Sequence, residues 1–162
     1  MKVGIIMGSD SDLNLRSPAR DVLADVGVET EMDVMSAHRT PEKVLDYARQ
    51  AYQRGVAVII AGAGGAAHLA GVVAAVSPMP VIGVPIKSSN SIDGWDSVLS
   101  MLQMPSGVPV ATVALNGGRN AGILAAQILS VADADLHRRI LVFKEAMKEK
   151  VYKASEKVRN AQ

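Results

Sequence analysis

The apolar residues of this chain fall into five short runs, four of them continuous and one alternating, each followed by small or polar residues. Continuous apolar runs are typical of strands buried on both faces of a parallel sheet, whereas steps of three and four residues indicate helices. The predicted strands lie at 2–7, 28–35, 56–65, 80–86 and 108–115, and the predicted helices at 18–26, 42–54, 66–76, 93–103 and 120–131. The repeated strand–helix order with short connections predicts a three-layer α/β domain with a parallel five-stranded sheet and right-handed crossovers.

The C-terminal stretch 133–160 has a different pattern, with apolar residues at three- and four-residue steps between mostly charged ones. This pattern predicts a long amphipathic helix with a narrow apolar stripe. Either the stripe packs on its own domain, or the helix is an arm that packs on another subunit, since a helix of this length overshoots a domain of this size. We interpret 1–162 as a single domain, with an α/β core over 1–131 followed by this helix.

The composition narrows the classes of function. Of the 162 residues, 49% are apolar and 20% are charged, which is typical of a globular protein. The net charge is only +1, and no basic patch interleaved with aromatic residues is present, so we expect no nucleic-acid partner. The chain has no cysteine, which excludes disulfides, thiolate catalysis and cysteine metal sites. No segment has the length and apolarity of a signal peptide or membrane span, so we expect a soluble cytoplasmic protein.

Four unusual segments follow predicted strands. Ligands of open parallel sheets bind outside the carboxyl ends of the strands, so these segments are the candidates for a site. They are GSDSD (8–12), SAHRTP (36–41), AGAGGAAHLAG (61–71) and KSSNSIDG (87–94).

The first segment, GSDSD, offers small residues whose backbone N–H groups could hold an anion at a helix N-terminus. Its aspartates Asp10 and Asp12 would repel phosphate, so at least one must face another group, such as the ribose diol. Simple capping of the next helix explains the same residues. It is not a Walker loop, because no Gly-Lys-Ser/Thr follows.

The second and third segments each contain a histidine. In SAHRTP, Arg39 can bind phosphate through two N–H groups, and an imidazole such as that of His38 can exchange a proton near neutral pH. An exposed polar turn is the alternative. His68, in AGAGGAAHLAG, is either functional or a structural hydrogen-bonding residue at a helix start. We expect no metal site, since no His-x-x-x-His pair occurs, and we interpret His137 as a surface residue.

Together these segments, with SVLSMLQMPSGVPVATVAL and NAGILAAQIL, resemble the N5-carboxyaminoimidazole ribonucleotide mutases, the bacterial mutase branch of the PurE family. The match runs from about residue 3 to 131, in the same order and spacing. The resemblance implies a flavodoxin-like fold, a homo-octamer, and no cofactor or metal. It also implies an isomerase of purine (IMP) biosynthesis, which moves the carboxylate of its ribonucleotide substrate from the exocyclic nitrogen to ring carbon 4, with CO2 as a bound intermediate.

By position in these motifs, the resemblance also assigns roles to individual residues. His38 would be the general acid and base. The ribose phosphate would be bound by Ser9, Ser11, Asp12 and Arg39, the aminoimidazole would face Ser36, Ala37 and His38, and the migrating carboxylate would be enclosed by Gly64, Ala66, His68 and Leu69.

Two residues depart from the family pattern, which usually has proline where Ala70 stands and no proline at Pro18; Pro18 is expected to start its helix late.

Two other functions remain open. One is the sister branch, which carboxylates aminoimidazole ribonucleotide with free CO2 and usually has lysine at the position of Arg39. The other is a non-catalytic phosphate-binding module. Arg39 and the string GGAAHL favour the mutase.

Overall fold

The apolar runs form a sheet of five parallel strands. The computed structural model describes residues 1–9 and 13–160, and only the backbone of residues 13–17. The strands are β1 (Lys2–Met7), β2 (Glu29–Val34), β3 (Val56–Gly64), β4 (Val81–Ile86) and β5 (Ala111–Thr112). The helices are α1 (Leu13–Asp25), α2 (Pro41–Gln50), α3 (Leu69–Val76), α4 (Trp95–Leu102), α5 (Gly118–Ser130) and α6 (Ala134–Arg159), and a 3-10 turn spans Tyr52–Arg54.

The strand order β2-β1-β3-β4-β5 confirms the predicted flavodoxin-like fold. The chain leaves β1 towards β2 on one side and returns to β3 on the other, so the strand order reverses between β1 and β3. Such a reversal leaves a crevice at the carboxyl ends of the strands, which is where open α/β sheets bind ligands.

Helices cover both faces of the sheet, as the continuous apolar strands predict. Neighbouring residues of β1 point to opposite faces: Ile5 packs with residues of α1, α5 and α6, and Ile6 packs with residues of α2, α3 and α4. Both side chains are 0% exposed. Burial of a side chain of this size stabilises a fold by roughly 1.5–3 kcal/mol.

Two of the departures from the predicted boundaries involve a proline. The fifth strand is predicted over 108–115, but only Ala111–Thr112 pair with β4. On the N-terminal side of β5, Pro109 has no N–H to donate to the ladder. The first helix begins at Leu13 rather than at 18, so Pro18 lies inside α1 and does not start it late. The backbone tolerates this proline at the cost of one intrahelical hydrogen bond.

The long C-terminal helix is confirmed and divides into two parts. Its N-cap, Asp133, accepts hydrogen bonds from the N–H groups of Asp135 and Leu136. Leu136 and Ile140 are buried in the core to which α1 and α5 contribute, and Phe143 packs partly buried against it, so the first three turns pack on the chain's own domain. Further along, Met147 and Val151 of the stripe are 44% and 65% exposed.

Among the described residues, no helix has the length and apolarity needed to cross a membrane.

Candidate active site

A cavity of about 430 Å³ lies at the carboxyl ends of β1, β3 and β4, next to the reversal in strand order. Its wall is formed by residues from all four segments that the sequence indicated. The lining residues are Gly8, Ser9, Ser36, Ala37, His38, Arg39, Ala63, Gly64, Ala66, Leu69, Ser88, Ser89 and Asn90.

The turn that carries His38 is held by its own polar groups. The N–H of Ser36 donates to Oγ1 of Thr40 at 2.9 Å, and the N–H of Thr40 donates back to the carbonyl of Ser36 at 2.9 Å. The N–H of Arg39 donates to Oγ of Ser36 at 3.2 Å. Pro41 follows as the first residue of α2, where its missing N–H costs nothing. The Ser-Ala-His-Arg-Thr-Pro sequence therefore fixes the backbone of the turn, which presents the side chains of His38 and Arg39 to the cavity.

His38 and His68 come from different strand ends and form a pair. Nε2 of His38 lies 2.8 Å from Nδ1 of His68, and the two rings meet edge-on at 79°. One nitrogen must donate and the other accept, so the tautomer of one ring determines that of the other. Because both side chains are exposed in this chain, protons can exchange with water. The pair can therefore supply and accept a proton beside the cavity.

Arg39 provides the positive charge of the site. Its guanidinium donates to the carbonyl of Gly8 at 3.1 Å, which ties the turn after β2 to the end of β1. Among the lining residues that the structure describes, it is the one permanently charged group. A fixed guanidinium beside backbone and serine groups favours an anionic ligand such as phosphate.

The end of β3 depends on glycine because the chain passes very close to the loop after β4. A Cβ on Gly64 would lie 2.3 Å from Oγ of Ser88. The next residue, Gly65, has a φ of +64°, in the left-handed region that favours glycine. Its N–H donates to Oγ of the buried Ser97 at 2.9 Å, and that hydroxyl donates to the carbonyl of Ile86 at 2.9 Å.

The loop between β4 and α4 is fastened at its far end by Asp96. This carboxylate accepts from the hydroxyl of Ser91 at 2.6 Å and from the N–H of Ile92 at 3.0 Å. The hydroxyl of Ser91, followed by the N–H of Ile92, holds the pKa of Asp96 below its ordinary value. The side chain therefore stays ionised, and the loop stays anchored, across the neutral range.

The structure brings most of the predicted site residues together. Eight of them line the cavity: Ser9, Ser36, Ala37, His38, Arg39, Gly64, Ala66 and Leu69. His68 meets the site through its contact with His38. Ser11 and Asp12 lie outside the described residues. His137 is exposed on α6, as predicted, and Ala70 is buried in α3.

Sequence reasoning did not single out Ala63, which lines the cavity, or four serine and asparagine residues. Ser88, Ser89 and Asn90 line the cavity, and Ser97 lies behind its wall. The polar loop 87–94 was indicated as a segment, and its position after a buried strand was the available signal. No local signal distinguishes Ser97 from any other serine in a helix.

No group of three or more histidine, aspartate or glutamate side chains, within the part of the chain that the structure describes, is placed to bind a metal ion. The described lining of the cavity offers a histidine pair at its border, a guanidinium, hydroxyls and backbone N–H groups.

Comparison with known proteins agrees with this description. The N5-carboxyaminoimidazole ribonucleotide mutase of Pyrococcus abyssi is 56% identical over 147 residues, covering 91% of this chain and 84% of the relative. The protein of the same name from Thermotoga maritima is 51% identical over 157 residues, covering 97% and 91%. The crystal structure of PurE from Treponema denticola superposes with a TM-score of 0.83 at 29% identity and covers 96% of each chain.

A family model described as AIR carboxylase matches residues 2–150, which is most of the chain. Together with the mutases of high identity, this match confirms the resemblance that the sequence motifs indicated. The chain belongs to the AIR carboxylase family.

Proposed function

We propose that this protein is the N5-carboxyaminoimidazole ribonucleotide mutase of purine biosynthesis, an isomerase that forms 4-carboxy-5-aminoimidazole ribonucleotide. The names of the two mutases that match nearly the whole chain support this reaction over carboxylation with free CO2. The observation that carries the assignment of roles is the cavity in which His38, joined to His68, lies beside Arg39.

The substrate is oriented by its charged end. Arg39, fixed against the carbonyl of Gly8, binds the ribose phosphate together with the cavity-lining Ser9. Ser11 and Asp12, the other residues assigned to the ribose phosphate, extend this subsite. Phosphate contacts far from the reacting bond supply binding energy for positioning the aminoimidazole against Ser36, Ala37 and His38.

His38 moves the protons of the reaction. Protonated His38 donates to the exocyclic nitrogen, the bond between that nitrogen and the carboxylate carbon breaks, and CO2 is released inside the cavity. Carbon 4 of the bound aminoimidazole then attacks CO2 through its ring electrons. Neutral His38 removes the proton from carbon 4, which restores both the aromatic ring and the protonated histidine. One imidazole serves as acid and then as base because the same ring nitrogen can donate a proton and afterwards accept one.

The wall formed by Gly64, Ala66 and Leu69 keeps the CO2 next to carbon 4. Small side chains leave room for the carboxylate and expose backbone N–H donors to it. Retention in the cavity replaces a bimolecular recapture by an intramolecular one, which raises the effective concentration of CO2. His68 holds His38 through their hydrogen bond and borders the same space.

We also propose that the protein works as a homo-octamer in the cytoplasm. The outer part of α6 supports assembly, because its apolar residues Met147, Val151 and Val158 are 44%, 65% and 64% exposed in the single chain. Exposed apolar stripes of this kind are typical of subunit contacts. The mass of the full chain in sedimentation equilibrium tests the stoichiometry.

The reaction is tested by forming N5-carboxyaminoimidazole ribonucleotide in place, without bicarbonate, and following the product on addition of the protein. Fast formation that does not depend on bicarbonate is expected. Product only from aminoimidazole ribonucleotide and CO2 would assign the carboxylase reaction, and no product from either would favour a binding module.

The role of His38 is tested by His38→Asn, which cannot carry a transferable proton. We expect turnover to be lost, by at least the roughly 100- to 10,000-fold that a positioned general acid–base contributes. Substrate binding, measured by calorimetry with the product, should change little because Arg39 is untouched. Near-normal turnover would refute the role.

A further inference from the structure

Ser97 lies outside the cavity and holds two segments that adjoin its wall. It is the third residue of α4 and is 0% exposed. Its Oγ accepts the N–H of Gly65 and donates to the carbonyl of Ile86, each at 2.9 Å. One hydroxyl therefore joins the turn after β3 to the end of β4.

Both groups that Ser97 holds are adjacent to the wall of the cavity. Gly65 lies between the lining residues Gly64 and Ala66, and Ile86 lies two residues before the lining Ser88. The wall is already tight, since Gly64 packs directly against the side chain of Ser88.

The two bonds are also hard to replace. A buried N–H and a buried carbonyl that lose their partner must find another polar group or move towards water. Gly65 is held in a left-handed turn with a φ of +64°, and its neighbours Gly64 and Ala66 both line the cavity. Without the hydroxyl, the turn after β3 is expected to shift into the space where the reaction takes place.

We propose that Ser97 is a positioning residue for the mutase reaction: it sets the separation of the β3 turn and the β4 loop that enclose the migrating carboxylate. This inference rests on the proposed function. It assigns Ser97 to the carboxylate end of the site, because its bonds go to β3 and β4 and not to the turn that carries Arg39.

The experiment compares Ser97→Ala with a matched control, Ser100→Ala, in the full chain. Ser100 lies one turn later on the same helix, and its hydroxyl donates to the carbonyl of Ser97 at 3.1 Å. For Ser97→Ala we expect kcat to fall about tenfold or more, which corresponds to about 1.4 kcal/mol in the barrier, while KM stays within about twofold. For Ser100→Ala both constants should stay within about twofold.

Hydrogen exchange of the free protein separates positioning from a general loss of stability. In Ser97→Ala, exchange should accelerate in the segment 61–69 and not in β1 or α5. Equal acceleration across the whole sheet, or a kcat equal to that of the control, would overturn the proposal. A rise in KM without a fall in kcat would also overturn it, since the effect would then lie at the phosphate end.

Two further results keep the test decisive. If Ser97→Ala does not fold, the test uses Ser97→Thr, which retains the hydroxyl. Slow hydrogen exchange in 61–69, with kcat within about threefold of the unaltered chain, supports the proposal. Slow exchange there with a tenfold or greater loss of kcat overturns it. If the unaltered chain shows no mutase turnover, the proposed function fails first, and the positioning role in that reaction falls with it.

Discussion

Gly64 allows a direct test of how tightly the cavity wall is packed. A Cβ at this position would lie 2.3 Å from Oγ of Ser88, 2.6 Å from its Cβ and 2.9 Å from the carbonyl oxygen of Ile86. Separations below 3.0 Å essentially never occur around a real Cβ, so Gly64→Ala must displace the loop after β4. The φ of Gly64 lies outside the left-handed region, so backbone strain does not contribute.

The expected cost follows from two opposing terms. Overpacking of a filled site destabilises a protein by about 1–3 kcal/mol. Replacing glycine by alanine also restricts the unfolded chain, which stabilises the fold by about 0.4–1 kcal/mol. We therefore expect Gly64→Ala to lower the free energy of unfolding by about 1–2 kcal/mol. Because the displaced Ser88 lines the cavity, kcat/KM should fall about tenfold as well.

Substitution of Ser88 identifies the clash as the cause. Ser88→Gly removes two of the three close atoms, and Ser88→Ala removes only the nearest. In the Gly64→Ala background, Ser88→Gly should restore about 1 kcal/mol or more of the lost free energy of unfolding, which is within the range of coupling energies for residues in contact. Ser88→Ala should restore less of it.

The assay is urea unfolding of the single and double variants, with kcat/KM measured on each. Gly55→Ala is the control, because a Cβ there meets nothing within 4 Å and its cost should not depend on residue 88. If the stability changes of Gly64→Ala and Ser88→Gly add up in the double variant to within about 0.5 kcal/mol, the steric argument is refuted.

Two further predictions concern charged groups. Arg39→Gln removes the guanidinium that donates to Gly8. Loss of its charged hydrogen bonds to phosphate, about 1.5–3 kcal/mol, should raise KM roughly 10- to 100-fold with little change in kcat. A steady-state assay that shows a loss confined to kcat would contradict the anchoring role. At Glu31, burial raises the pKa, but hydrogen bonds from Lys2 and Arg54 outweigh it and leave the pKa below its ordinary value of 4.5. A lowered folded-state pKa stabilises the fold above about pH 4.5 and stops doing so as pH falls through the folded pKa. Glu31→Gln should therefore be less stable than the unaltered chain by about 0.5–1 kcal/mol near pH 6. Urea unfolding should show this difference in stability shrinking towards pH 3. A difference that does not change with pH would argue against a contribution from ionised Glu31.

The layers of the fold could be predicted because burial on both faces leaves continuous apolar runs, as in β1 and β4. The length of β5 could not, since a strand at the edge of a sheet pairs on one side only and Pro109 interrupts its donors. Pro18 misled the prediction in the opposite direction, because packing of α1 against α5 maintains a helix that local preference would interrupt.

The location of the site could also be predicted, since the carboxyl ends of parallel strands meet at one edge whatever the side chains are. The contact of His38 with His68 could not, because it joins residues 30 positions apart whose strands are separated by β1. Ser97 shows the same limit more strongly. Its partners Gly65 and Ile86 become neighbours only when the sheet has formed.

The division of α6 has a consequence for the thermodynamics of the chain. Its first three turns, around Leu136, Ile140 and Phe143, are stabilised by burial against the core. The remaining part is about four turns long, and an isolated helix of that length is marginal in water. Its helical order is therefore not determined by the domain that carries it. It depends on what packs against its apolar stripe. If other subunits cover that stripe, the helix content of a solution will rise with protein concentration, while the catalytic domain stays equally folded.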